Sequence, residues 1–153
     1  MAPFPRYTTP PTYVPKACVY VTRGGGSQLL VFEADGHEDL QVPKGTIEPG
    51  ESPWTAARRE VAEESGLRLQ TLRRVASDVW PRRRGRLYLR QFFHADVAEP
   101  RDAWTHVVTG DGAEHGERFH YSWVDLPTSR RFALSLDDYL GRIDAGVAAP
   151  AGD

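Results

Sequence analysis

Between Ser52 and Gly66 the sequence SPWTAARREVAEESG specifies both ends of a helix and then loads it with negative charge. Ser52 is a good N-cap, and Pro53 suits the first helical position, where its missing N–H costs nothing. Gly66 stands where a left-handed residue closes a helix. Within this frame Glu60, Glu63 and Glu64 fall inside five positions, preceded by Glu51, in a chain of 153 residues whose net charge is only -2. At about 100° per residue, Trp54, Ala57 and Val61 share the face expected to pack on a sheet, and the three glutamates flank it. Side chains at i, i+3 and i+4 are neighbours, so like charges there oppose the helix by a few tenths of a kcal/mol per pair. Arg58 and Arg59 offset part of this repulsion, as on an ordinary solvated face. A hard divalent cation relieves it better, because carboxylate oxygens are the ligands that Mg²⁺ and Mn²⁺ prefer.

The remainder of the chain reads as a mixture of strands and helices. Five prolines in the first fifteen residues predict an extended arm over 1–15, with Phe4, Tyr7 and Tyr13 available to lie over a core or a ligand base. A short tail is expected over 146–153, leaving 16–145 as one domain. Strands are predicted at Ala17–Thr22, Leu29–Ala34, Leu69–Trp80, Leu87–Val97 and His120–Leu126. A second helix is predicted over Ser129–Ile143, apolar at Phe132, Leu134, Leu136, Tyr139, Leu140 and Ile143. Glu99–Gly116 reads as a long polar loop, a length commoner in functional loops than in connectors. The order of elements suggests an α+β sheet with helices packed on it. Net charge argues against a general nucleic-acid or membrane-surface binder. No apolar run approaches the ~20 residues of a membrane span, and no secretion signal opens the sequence, so a cytoplasmic location is expected. Cys18, the only cysteine, allows no intrachain disulfide and reads as a buried core thiol. With one cysteine and no metal-like spacing among His37, His94, His106, His115 and His120, a zinc site is not expected.

From Gly45 the sequence runs glycine, five free positions, Glu51, seven free positions, Arg59-Glu60-Val61, one free position, Glu63-Glu64, one free position, Gly66-Leu67. This resembles the Nudix box at every fixed position, and the surrounding pattern looks like a whole Nudix domain. The resemblance implies the family's fold, a mixed β-sheet sandwiched between α-helices with the box forming a loop and then a helix. It also implies hydrolysis of a nucleoside diphosphate linked to another group, with Mg²⁺ or Mn²⁺ as cofactor. That chemistry is consistent with the residues: metal ions neutralise a pyrophosphate and polarise phosphorus while a carboxylate activates water.

By the same resemblance Glu60, Glu63 and Glu64 are metal ligands, and Glu60 or Glu64 also acts as base. The Gly45 carbonyl is a further ligand. Arg59 orients the carboxylates, with Glu51 as its ion-pair partner or an outer-sphere metal ligand. Lys44 is expected to contact phosphate, and Glu117, preferred over Glu114, to add the carboxylate that many members place beyond the box. Substrate choice lies outside the box. Pro43-Lys44-Gly45 with Glu48-Pro49-Gly50-Glu51 looks like the version in diadenosine polyphosphate and diphosphoinositol polyphosphate hydrolases. Arg82, Arg83, Arg84 and Arg86 suit a long polyphosphate, since guanidinium forks match phosphate oxygens, although a solvated hairpin tip is an equal reading. Tyr88 is a candidate for stacking on a base. ADP-ribose hydrolases of the family tend to carry a proline somewhat downstream of the box. Pro81 lies in that neighbourhood and keeps ADP-ribose as a rival substrate, beside nucleoside triphosphates and RNA 5′ ends. A non-catalytic nucleotide sensor is disfavoured because all box glutamates are kept. The expected partner is a small-molecule phosphate, and the expected state a monomer or homodimer.

Overall fold

Strand β1, Thr12–Arg23, carries a run from Ala17 to Thr22 that is buried on both sides, which requires layers on both faces of its sheet. The computed structural model describes residues 10–147. Its strands are β1, β2 (Gln28–Ala34), β3 (Lys44–Thr46), β4 (Arg73–Pro81), β5 (Arg86–Asp96), β6 (Ala103–Val107) and β7 (Arg118–Asp125). They form one mixed sheet in the order β4-β5-β1-β2-β7-β6, with β3 on β1. Only β1 and β5 run parallel, paired from Thr12↔Arg86 to Thr22↔Asp96; the other pairs are antiparallel.

Alternation divides the core. Ala17, Val19 and Val21 point to one face with Phe32, Phe93, Phe119 and Tyr121, where helix α1 (Pro53–Ser65) lays down Ala57 and Val61. Cys18 and Tyr20 point to the other face with Val31 and Phe92, covered by Leu136 and Ile143 from the C-terminal segment. Burial pushes the Cys18 thiol up to about 12, as befits an inert core residue. The expected α+β sandwich is present.

Several boundaries differ from those the sequence predicts. The sheet begins at Thr12, so residues 12–15 of the expected arm are strand, paired with Arg86–Leu89; Phe4 and Tyr7 lie outside the described residues. The expected Glu99–Gly116 loop contains β6, whose Trp104 and His106 point inward while Ala103, Thr105 and Val107 are exposed. The last helix is displaced: a 3₁₀ turn at Ala133–Ser135 precedes α2, Leu140–Val147. Leu134 and Ser135 adopt positive φ (54° and 51°), which stops an α-helix there. Arg90 holds this turn. Its side chain is 2% exposed, grips Asp78 through Nε and Nη2 at 2.8 and 2.6 Å, and donates to the Leu134 carbonyl at 2.7 Å. The Tyr139 hydroxyl completes the network by donating to Asp78 at 2.7 Å. Among the described residues no helix is long and apolar enough to cross a membrane.

The Arg90 network gives a stability test. Asp78→Ala strands a buried guanidinium and should lower the free energy of unfolding by about 3 kcal/mol in urea titrations. Tyr139→Phe removes a single hydrogen bond and should cost about 1 kcal/mol.

A candidate metal and phosphate site

The signals that define α1 all operate. Ser52 Oγ accepts the Thr55 N–H at 3.1 Å, and Gly66 closes the helix at φ 82°. The buried face, however, is wider than Ala57 and Val61: it includes Glu60 and Glu64, which are 9% and 2% exposed. Trp54, expected to be buried with them, packs edge-on against Phe93 at 5.3 Å and remains 37% exposed. The glutamates therefore face the rim of the sheet rather than solvent. Glycines make room for them. A Cβ on Gly45 would lie 1.9 Å from the Glu60 carboxyl carbon, and one on Gly110 2.4 Å from that of Glu63.

Arg59 is the hub. Its guanidinium donates to Glu51 through Nε at 2.7 Å and Nη2 at 2.9 Å, to Glu60 at 2.8 Å, to Glu63 at 3.3 Å and to the Thr46 carbonyl at 2.9 Å. The Arg59 hydrogen bonds hold Glu51 below the usual carboxylate range. Burial instead raises Glu60, with Arg59 opposing. Burial raises Glu64 well above the ordinary value, and the charge of Glu114 adds to the rise. One Glu64 oxygen accepts the Lys44 backbone N–H at 3.2 Å.

These side chains border a cleft of about 340 Å³ with Lys16 and the loop from Val108 to His115. Two of the expected residues lie elsewhere. Lys44 turns its ammonium to Gln41 Oε1 at 3.2 Å and does not border the cleft, whereas Lys16, on the paired strand, does. Glu117 accepts the Val108 N–H through its carbonyl at the loop base, and Glu114 is the loop glutamate that borders the cleft. Nothing in the local sequence marks Lys16; pairing of β1 with β3 brings it beside Thr46, to whose hydroxyl it donates at 2.9 Å.

Away from the carboxylates, Lys16 Nζ also lies 4.8 Å from the Tyr88 ring centre, with the Arg82 and Arg86 guanidiniums 5.4 and 5.9 Å from it. Although burial opposes it, these cations pull the Tyr88 phenol below its ordinary pKa. Arg83, Arg84, Arg86 and Thr12 line an adjoining hollow of about 610 Å³ at the β4–β5 hairpin tip. Pro81 ends β4 and is exposed.

The donor set fits a hard divalent cation: carboxylate oxygens dominate, and Gly45 leaves space for Glu60 that any side chain would fill. Among the described residues no three acidic, histidine or cysteine side chains converge closely enough to hold a metal ion, and Arg59 is bonded to both Glu60 and Glu63.

A NUDIX domain profile matches residues 12–136, which includes the sheet, α1 and the cleft. The chain belongs to the NUDIX family. An RNA pyrophosphohydrolase of Rhodopseudomonas palustris (strain BisB18) is 34% identical over 100 residues, covering 56% of this chain and 55% of that protein. One from Rhodospirillum rubrum is 32% identical over 114 residues, covering 67% of each. The chain thus spans about half the length of the first of these curated relatives. A MutT NUDIX hydrolase from Burkholderia pseudomallei has a TM-score of 0.64 at 17% identity, covering 86% of this chain and 98% of that one. A NUDIX hydrolase from Nitrosomonas europaea gives 0.61 at 22% identity, covering 89% and 90%. The structural likenesses concern the NUDIX fold alone.

The raised Glu60 and Glu64 pKa values mean that the folded chain holds protons more tightly than the unfolded one. Their stabilising effect is complete below the ordinary glutamate value of 4.5 and is lost as pH rises through the raised values. Glu51 and Asp78, whose pKa values are lowered, act in the opposite sense. The difference between wild type and Glu64→Gln isolates the buried carboxylate. In chelator-treated protein the variant should melt higher at neutral pH, and the gap should close as pH falls toward 4.5.

Proposed function

We propose that this NUDIX chain hydrolyses a phosphoanhydride bond in the 5′ polyphosphate of a nucleotide substrate, using Mg²⁺ or Mn²⁺. The single observation that supports this best is the cleft itself, bordered by Glu60, Glu63, Glu64 and Glu114 together with Lys16. Glu60, Glu63 and Glu64, with the Gly45 carbonyl, would hold the metal, and Glu114 takes the part expected of Glu117. A bound cation neutralises the phosphates and polarises the phosphorus under attack. Arg59 orients Glu60 and Glu63 and, through its two bonds to Glu51, steadies the loop before α1. Glu60 or Glu64, as the carboxylate, would take the proton of the attacking water. Lys16, and not Lys44, is the lysine that meets phosphate oxygens.

For the substrate, the RNA pyrophosphohydrolases among its relatives favour a triphosphorylated RNA 5′ end over the diadenosine polyphosphates that the loop sequence alone suggests. The hairpin supports a second reading. Arg82, Arg84 and Arg86 around Tyr88 would grip a long polyphosphate whose other end lies in the cleft.

Phosphate release with Mn²⁺ should be measured on triphosphorylated RNA oligomers, diadenosine pentaphosphate, ADP-ribose and nucleoside triphosphates. Activity should vanish on chelation, and Glu64→Gln should lose ~10³-fold in kcat/KM. Turnover that survives a strong chelator would refute the metal reading. An Arg82/Arg83/Arg84→Ala variant should lose ~10-fold or more on diadenosine pentaphosphate and much less on ADP-ribose, since several screened contacts of modest size add along a long anion. Equal losses would mean general attraction of anions.

A further inference from the structure

The last turn of α1 ends in carbonyls that the helix itself cannot satisfy. The Gly66 N–H takes that of Ala62, and those of Glu63, Glu64 and Ser65 are taken by donors from β6, β7 and the loop between them. The Glu63 carbonyl accepts the Thr109 N–H at 3.0 Å and lies 3.0 Å from His106 Nε2, which must carry the proton because a carbonyl only accepts. The Glu64 carbonyl accepts the Tyr121 hydroxyl at 2.9 Å, and the Ser65 carbonyl the Trp104 indole N–H at 3.1 Å. Gly66 admits the imidazole: a Cβ there would lie 3.2 Å from the His106 ring. Tyr121 and Trp104 are stacked, with ring centres 5.2 Å apart, so the donors are braced against one another. The same strands carry the loop that brings Glu114 and Gly110 to the cleft.

We infer that Trp104, His106 and Tyr121 are positioning residues of the carboxylate site. They fix the rotation of the last turn of α1, and so hold Glu63 and Glu64 in register with Glu60 and with the Glu114 loop. The inference rests on the proposed metal role of the glutamates. It adds a requirement of its own, that metal affinity depends on groups that touch neither metal nor substrate. An ordinary capping arrangement would stabilise the helix against unfolding while leaving the folded site unchanged.

The experiment measures Mn²⁺ affinity of the substrate-free protein from the free-ion electron paramagnetic resonance signal, beside the thermal midpoint. Tyr121→Phe keeps its ring and loses only the hydroxyl donor; Trp104→Phe exchanges indole for the smaller phenyl and loses the N–H; His106→Ala loses the donor, and His106→Gln restores an N–H near the same place. Each donor loss should weaken Mn²⁺ binding about fivefold, and His106→Gln should recover most of what His106→Ala loses. Variants that melt lower yet bind Mn²⁺ as tightly as wild type would overturn the inference, as would equal losses in His106→Ala and His106→Gln. Tyr121→Phe guards against misfolding, since it keeps the ring and its stacking on Trp104 and loses only the hydroxyl. Wild-type protein that binds no Mn²⁺ would overturn the reading of the cleft itself. Wild-type binding abolished by Glu64→Gln but untouched by every donor variant would overturn this inference alone.

Discussion

Helix α1 turns Glu60 and Glu64 toward the sheet, and much of the surrounding structure accommodates those two carboxylates. Burying an ionised group without a partner is costly. Here the backbone comes close enough to help. Gly45 leaves the space into which Glu60 fits, and the adjacent Lys44 N–H meets Glu64. The short β3 strand exists for this approach. Its three residues pair with Lys16–Cys18 in the middle of the molecule and set the distance between loop and helix. A side chain at position 45 would push the helix off the sheet or the carboxylate out of the cleft.

Arg59 explains how so acidic a helix remains folded. One guanidinium spans Glu51, Glu60, Glu63 and the Thr46 carbonyl, tying the loop before the helix to the face of the helix. Its planar fork suits this work, since several of its N–H groups act at once in fixed directions. Glu51 takes two of these bonds and Glu60 and Glu63 one each. On the opposite face of the sheet another arginine, Arg90, does the structural counterpart: it is fully committed to Asp78 and the Leu134 carbonyl and is unavailable to a ligand.

The parts of the site that were legible in the sequence are those governed by neighbours along the chain. Ser52, Pro53 and Gly66 fixed the helix at Pro53–Ser65, and the spacing of the glutamates and Arg59 placed them together. The parts that were not legible depend on strand pairing. The alternation in Ala103–Val107 is carried by Trp104 and His106 among small and polar residues, so β6 reads as loop until β7 pairs with it. Glu114 and Glu117 are three residues apart on a loop closed by Val108 and Glu117, and closure decides which carboxylate faces the cleft. The C-terminal apolar residues reach the core as predicted, but Arg90 and Tyr20 bind the Leu134 and Leu136 carbonyls and replace one long helix with a turn and a short one.

By itself the sequence determined helix α1 and its charge, because capping residues and spacing over a few turns settle both, and it carried the box whose resemblance points to the family. Only the tertiary structure decided which lysine and which loop glutamate border the cleft, and which donors receive the end of α1. Those choices were made by the parallel pairing of β1 with β5, the antiparallel pairing of β1 with β3 and the addition of β6 at the sheet edge. Such pairings join residues far apart in the chain through backbone hydrogen bonds that are alike for every side chain, so no local pattern records them.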